Sequence, residues 1–330
     1  MSSVAPQIAV LALTVVGLAV GARLFVDAAV RFARRFGLSE FVIGLTIVGI
    51  GTSAPELVVS ADAALIGRGD LAVGNVIGSN IFNLALILGG LALFGAIPVD
   101  RSAVRRDGAA LVLATAIGGV VLLDATVARA EGVAMVACMV AYIAYLLGTG
   151  DEAASEPGDG SSASSTARNV AESTPPGGLA RGPTRWSRTA AELAAGLALV
   201  LASGHFMVES ASALALAAGI SELVVGETIV AAGTSTPELA VSLVAVRRGR
   251  VGVSVGNILG SNVFNLLGIL GVAAIVRPLA ASPAVLTGVA WLAAITVAAV
   301  AALWTGRRLS RPEGGLLALS ELVRWGSDLL

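Results

Sequence analysis

Lysine is missing from this chain of 330 residues, so all 21 basic side chains are arginines. A single cysteine, Cys138, excludes an internal disulfide, and a single histidine, His205, leaves too few soft or imidazole ligands for a protein-built zinc or copper site. Any metal held here must be held by oxygen. Charge is scarce as well: charged residues make 13% of the chain against 56% hydrophobic, far from the balance of a soluble domain. The net charge of -1 says little about partners, and no nucleic-acid partner is expected. No charge precedes Arg23, so the N-terminus lacks the positive region of a cleaved secretory signal, and its first apolar run is expected to be retained.

What the chain has in abundance is apolar length. Mean hydropathy is +0.89. Runs of about 20 apolar residues, enough to cross about 30 Å of hydrocarbon, recur between short charged or Pro/Gly-marked breaks. Ten such spans can be drawn, at 8–30, 38–66, 71–97, 108–123, 132–148, 189–217, 222–246, 251–276, 283–304 and 314–330. The last is the poorest, because Glu321, Arg324 and Asp328 interrupt it; Glu321 and Arg324 stand one helical turn apart and are expected to pair. The fold class expected is an all-α polytopic membrane protein.

The spans belong to one unit used twice. Gly37-Leu-Ser-Glu-Phe-Val-Ile-Gly44 recurs as Gly219-Ile-Ser-Glu-Leu-Val-Val-Gly226, and Gly51-Thr-Ser-Ala-Pro-Glu56 as Gly233-Thr-Ser-Thr-Pro-Glu238. Gly74-Asn-Val-Ile-Gly-Ser-Asn-Ile-Phe-Asn83 recurs as Gly256-Asn-Ile-Leu-Gly-Ser-Asn-Val-Phe-Asn265. Glu238 follows Glu56, Gly256 follows Gly74 and Asn265 follows Asn83 by the same 182 positions. Residues 1–149 then form a first five-helix repeat and 189–330 a second. Between them 150–188, rich in Ser, Gly, Pro and Thr and without periodicity, reads as a disordered linker.

Arginine placement gives the orientation. Alternate connections carry 16 arginines, while the others carry at most 4, namely Arg68, Arg129, Arg277 and Arg324. The positive-inside rule puts the rich face, with the linker, in the cytoplasm and both termini outside. Five spans is an odd number, so the second copy enters from the opposite face: ten transmembrane helices as two inverted five-helix repeats. Inverted repeats with helices interrupted at the bilayer midplane are a recurrent secondary-transporter construction, with the site where the copies meet.

Pro55 has no N–H for the carbonyl of Gly51 and its ring crowds that carbonyl, so the helix must bend or break there. Thr52 and Ser53 lie four and three residues before Glu56, so hydroxyl, carboxylate and freed carbonyl converge on one side of the break. Thr234, Ser235 and Glu238 repeat this around Pro237, and inverted symmetry aims the two sites at each other. Ser79 with Asn83 and Ser261 with Asn265 stand at i, i+4 in the next spans and add neutral oxygens toward the 6–8 that Ca2+ takes at about 2.3–2.6 Å. An ionised carboxylate deep in a bilayer costs at least about 2.5–3.5 kcal/mol on insertion scales. No arginine lies near either motif in sequence, so a bound cation or proton is the most economical partner.

The paired Gly-Thr-Ser-x-Pro-Glu and Gly-Asn-x-x-Gly-Ser-Asn-x-x-Asn blocks resemble the alpha-repeats of the sodium/calcium exchanger family, within the cation/calcium antiporter superfamily. That resemblance implies exchange of Ca2+ against Na+ by alternating access in a cell (inner) membrane. It places Glu56, Glu238, Asn83 and Asn265 at the centre and Thr52, Ser53, Thr234, Ser235, Ser79 and Ser261 around it. No catalysis and no cofactor are expected beyond the transported ions, and a monomer in the lipid bilayer is the expectation. One departure matters: several family members have Asp where Asn265 stands. Here two carboxylates balance one Ca2+ or two Na+, and a third Na+ leaves surplus charge.

Plainer roles account for other polar positions. Gly74, Gly78, Gly256 and Gly260 serve close helix packing, and Asn75, Asn80, Asn257 and Asn262 bond freed backbone. Asp27 and Glu209 cap or snorkel, Glu40 and Glu222 suit first turns, and His205 is interfacial rather than a proton relay. Glu227, unmatched in the first copy, is a candidate for drawing cations into an outer vestibule. The main rival is a Ca2+/H+ antiporter of the same fold. Related cation/proton exchangers commonly carry a Glu shortly after the Gly-Asn pair, and 76–80 has none. An intramembrane hydrolase lacks a base near its serines, and a non-transporting scaffold leaves the paired glutamates unexplained.

Overall fold

The computed structural model describes residues 4–95, 97–98, 104–149, 183–218, 231–306 and 308–328. The first half runs α1 (Val4–Arg35), α2 (Glu40–Thr52), α3 (Ala54–Leu65), α4 (Gly69–Phe94), α5 (Arg105–Asp124) and α6 (Arg129–Thr149). The second runs α7 (Pro183–Ala217), α8 (Ala231–Thr234), α9 (Thr236–Arg247), α10 (Val251–Val276), α11 (Val285–Gly306) and α12 (Arg311–Asp328). The second copy of the first motif at 219–226, with Glu222, together with Glu227 and linker residues 150–182, lies outside the described residues.

Seven described helices are long and apolar enough to cross a membrane, and the bent pair of α2 and α3 makes an eighth. The ten spans expected are not all accounted for. The seventh runs through 219–230, outside the described residues, and α12 is broken up by Glu313, Glu321 and Arg324. Glu321 is buried and accepts from Arg324 Nε and Nη2, the pairing expected one turn apart. Large apolar side chains such as Leu13, Val16, Leu113 and Leu316 stand exposed along the outer helices, as lipid-facing residues do.

Helix ends follow local chemistry. Ser39 caps α2 by accepting from Val42 N–H at 3.1 Å. The chain breaks at Ser53, with Pro55 in the first turn of α3, and the helices on either side differ by 47°. Ser235 and Pro237 make the matching break before α9. Gly67 at φ 79° and Gly249 at φ 69° end α3 and α9, a left-handed conformation that lets the chain reverse into α4 and α10. Helix α7 begins at Pro183, ahead of the Thr189 expected, because its first turns rest on α1: Trp186 lies 5.5 Å from Phe32 and 5.6 Å from Phe36, and Glu192 pairs with Arg31. Residues 183–188 are thus helical where a linker was expected.

With lipid on the outside, burial of apolar surface gives no strong drive between helices, so close backbone approach matters. Helices α2 and α10 meet this way. A Cβ on Gly256 would fall 2.4 Å from the Phe41 carbonyl oxygen and one on Gly260 2.3 Å from that of Leu45, which bears out the packing role of that pair, whereas a Cβ on Gly74 or Gly78 meets no neighbouring described atom within 4 Å, so the first pair does not share it. One apolar core, including Val76, Leu84, Leu88, Ile258 and Leu270, joins α4 to α10; a second, including Phe25, Val48, Val200 and Val241, joins α1, α2, α7 and α9.

The chain is not wholly helical. β1 (Ile97–Pro98) pairs antiparallel with β4 (Arg308–Leu309), and β2 (Thr126–Val127) with β3 (Leu279–Ala280). Ile97 faces Leu309 and Val127 faces Leu279, so both ladders join connections of different halves and obey the offset of 182. Periodicity could not reveal strands of two residues. Asp27, expected to cap or snorkel, is instead held by Arg248 at 2.6 Å, and Glu40 by Arg250 at 2.7 Å, tying α1 and α2 to the turn before α10.

Candidate cation site

The two helix breaks bring the motif side chains together. Thr52, Ser53 and Glu56 come from the junction of α2 and α3, and Thr234, Ser235 and Glu238 from that of α8 and α9; Ser79 and Asn83 stand on α4, and Ser261 and Asn265 on α10. All are buried except Thr234, which is half-buried. Asn83 opens a π turn, Asn83–Leu88, and Asn265 lies in its counterpart Phe264–Ile269, irregularities that recur at functional positions in helices.

The hydrogen bonds cross between the halves. Ser53 Oγ donates to Glu238 Oε1 at 2.8 Å, and Ser235 Oγ donates to Glu56 Oε1 at 2.9 Å. Spacing led us to expect each serine beside the glutamate of its own motif; the bend turns it toward the other copy instead. Ser261 Oγ reaches the Gly49 carbonyl at 3.2 Å and Glu238 Oε1 at 3.5 Å. Thr52 Oγ1 lies 3.0 Å from Asn257 Oδ1, 3.1 Å from the Val48 carbonyl and 3.3 Å from the Gly49 carbonyl.

The oxygens without a protein partner are telling. Glu56 Oε2, Glu238 Oε2, Asn83 Oδ1 and Asn265 Oδ1 are buried and unbonded, one from each of the four central residues. Buried polar atoms are nearly always satisfied, so four orphaned acceptors on these four residues, with Asn262 Oδ1 of the same motif a fifth, point to a ligand. No ion pair among the described residues involves Glu56 or Glu238. The two carboxylates are near enough to act on each other electrostatically. The arrangement suits a hard cation, its donors being acidic, hydroxyl and amide oxygens.

Of the asparagines outside the central set, Asn75, Asn257 and Asn262 bond backbone carbonyls as expected, whereas Asn80 meets the side chain of Asn265 instead. Asn75 Nδ2 donates to the Glu56 carbonyl at 3.2 Å and Ser60 Oγ at 2.9 Å; Asn257 Nδ2 donates to the Glu238 carbonyl at 3.4 Å and Ser242 Oγ at 2.9 Å. Ser60 and Ser242 escaped the sequence reading, although Ser242 follows Ser60 by the same 182 positions and repeat matching alone would have found them. His205 is exposed on α7 and packs on Phe206, with ring centroids 5.4 Å apart.

Known proteins are similar to this chain over most of its length. The chain is 39% identical over 300 residues to the putative antiporter CaxA of Alkalimonas amylolytica, covering 90% of each. It is 34% identical over 332 residues to the inner membrane protein YrbG of Escherichia coli, covering 97% of this chain and 98% of that one. Its fold matches the sodium-calcium exchanger NCX_Mj with a TM-score of 0.81 at 29% identity, over 98% of this chain and 99% of the other. The family described as "Sodium/calcium exchanger protein" matches residues 6–148 and 189–320. An all-helical membrane architecture apart from two short ladders, paired helix breaks and a repeated acidic motif thus come with a family match over most of the sequence, and this chain belongs to the sodium/calcium exchanger family.

Proposed function

We propose that this protein exchanges Ca2+ for Na+ across a cell membrane by alternating access, as a secondary transporter and not an enzyme. The observation that carries this reading is the pair of buried carboxylates, Glu56 and Glu238, each with one oxygen held by a serine of the other half and one without a protein partner. Two such charges without a basic neighbour need a cation, and two negative charges match one Ca2+ or two Na+. In this reading Glu56, Glu238, Asn83 and Asn265 bind the ion directly, and Thr52, Ser53, Thr234, Ser235, Ser79 and Ser261 supply further oxygens. Na+ uses a subset of the same ligands. Filled, the site carries little net charge and can face either side; empty, its two charges resist the passage.

The architecture in this reading is ten transmembrane helices in two inverted five-helix repeats, 1–149 and 189–330 in sequence, working as a monomer. Both termini lie outside and the central linker is cytoplasmic. The ladder support is specific: β1 pairs with β4, joining two arginine-rich connections, and β2 with β3, joining two arginine-poor ones. Connections of like arginine content are thus the ones that pair, which supports the arrangement.

Purified protein in sealed vesicles tests the function directly. Ca2+ uptake driven by an imposed Na+ gradient and not by a pH gradient supports Ca2+/Na+ exchange. Uptake driven by the pH gradient alone makes it a Ca2+/H+ antiporter of the same fold, and uptake under neither gradient overturns antiport altogether.

A further inference from the structure

A carboxamide has two unlike ends, one accepting and one donating, whereas a carboxylate accepts at both. Asn265 stands in a central position of the site, and its usefulness to a cation depends on which end faces the ion. Something must choose. Asn265 Nδ2 donates to Asn80 Oδ1 at 3.2 Å, and both side chains are fully buried. With the NH2 group occupied there, Asn265 Oδ1 is the end left without a protein partner.

The related pair in the other copy is not formed. Asn262 commits its Nδ2 to the Ile258 carbonyl at 2.7 Å, and neither end of Asn83 has a partner. The contact between Asn80 and Asn265 is therefore no automatic result of the repeated motif. It joins α4 of the first half to α10 of the second beside the carboxylates, with α3, the helix of Glu56, packed on the segment that holds Asn265.

We propose that Asn80 is a positioning residue that fixes the Asn265 carboxamide with its oxygen toward the transported cation, an assignment that rests on the antiport reading above. Asn80 does not bind the ion in this role. It allows an asparagine to serve at position 265, where an aspartate would present oxygen in either orientation.

The test is titration calorimetry of CaCl2 into the purified full-length protein, comparing wild type with Asn80→Ala, Asn265→Asp, the double variant and Glu56→Gln as a reference. Asn80→Ala should lower Ca2+ affinity by about tenfold or more, the scale of one lost strong polar contact. The double variant should return to the affinity of Asn265→Asp, because a carboxylate has no wrong end. A merely structural role for Asn80 predicts additive effects, the double variant falling below Asn265→Asp by the same factor as Asn80→Ala falls below wild type, and that result overturns the assignment. Should Asn80→Ala fail to fold, Asn80→Asp decides: an aspartate can only accept and keeps Asn265 as it is, so affinity should match or exceed wild type, and a fall overturns the proposal. Binding lost in Glu56→Gln but unchanged in Asn80→Ala overturns the Asn80 assignment alone. A wild-type protein that binds no Ca2+ overturns both.

Discussion

Replacing Glu238 with glutamine isolates the role of charge from that of shape. Glu238 is fully buried, with Oε1 accepting from Ser53 at 2.8 Å and Oε2 unbonded. A glutamine keeps an acceptor for Ser53 and nearly the same volume. What it removes is one of the two negative charges that the proposed function sets against the ion. A Ca2+ bound beside Glu56 alone leaves one uncompensated positive charge in a dry site, and breaking a buried charge pair costs about 3–5 kcal/mol. At about 1.4 kcal/mol per tenfold, Ca2+ affinity should fall roughly 100-fold to several thousand-fold. A single Na+ beside Glu56 is neutral, so Na+ affinity should fall far less, and Glu238→Gln should turn a Ca2+-binding protein into one that prefers Na+. Calorimetry with CaCl2, repeated at rising NaCl, reads both. Equal losses for the two ions, or Ca2+ binding left at the wild-type level, would refute the charge-matching argument.

Other expectations test the scaffold. Asn257→Ala removes contacts with Thr52, the Glu238 carbonyl and Ser242, and at about 1 kcal/mol per net hydrogen bond should cost about 3 kcal/mol, read as a lower midpoint in thermal unfolding. Gly260→Ala places a methyl 2.3 Å from the Leu45 carbonyl oxygen and should destabilise by about 1–3 kcal/mol, whereas Gly90→Ala, with no described atom within 4 Å of the new methyl, should leave the midpoint near wild type. Asp107 is buried and accepts from Arg106 at 2.9 Å and from Tyr142 at 2.9 Å. Asp107→Ala should lower stability by about 3 kcal/mol, the low end for a broken buried pair because Arg106 keeps some solvent access, while Tyr142→Phe should lower it by about 1 kcal/mol. Chemical denaturation of the two variants side by side would show whether that ranking holds.

The motifs were legible because they are local and occur twice. Pro55 and Pro237 announce helix breaks from backbone chemistry alone, and the fixed offset pairs every polar residue of one motif with its copy. What escaped was tertiary. Spacing within a motif brings Ser53 to the same face as Glu56, but no local rule says that the bend will send its hydroxyl to Glu238, 185 positions away. The start of α7 was hidden for a similar reason: residues 183–188 have a loop-like composition, and their contacts with α1, Trp186 on Phe32 and Phe36 and the nearby Glu192 on Arg31, show only in the folded chain. Asn80 read as a backbone partner because an isolated asparagine in a membrane helix usually is one; its carboxamide neighbour became visible only with α4 and α10 in place.

The exchange of hydroxyls between the two helix breaks has a developmental corollary for the molecule. Neither copy owns a finished pocket: the donor for each acidic group is encoded in the opposite half of the gene. A fragment ending at the linker would display a carboxylate stripped of its serine, so metal capture should emerge only on reassembly of the two fragments. Loss of either serine leaves the glutamate of the opposite half without its donor, and cooperation between the halves is thereby a condition of construction and no later refinement.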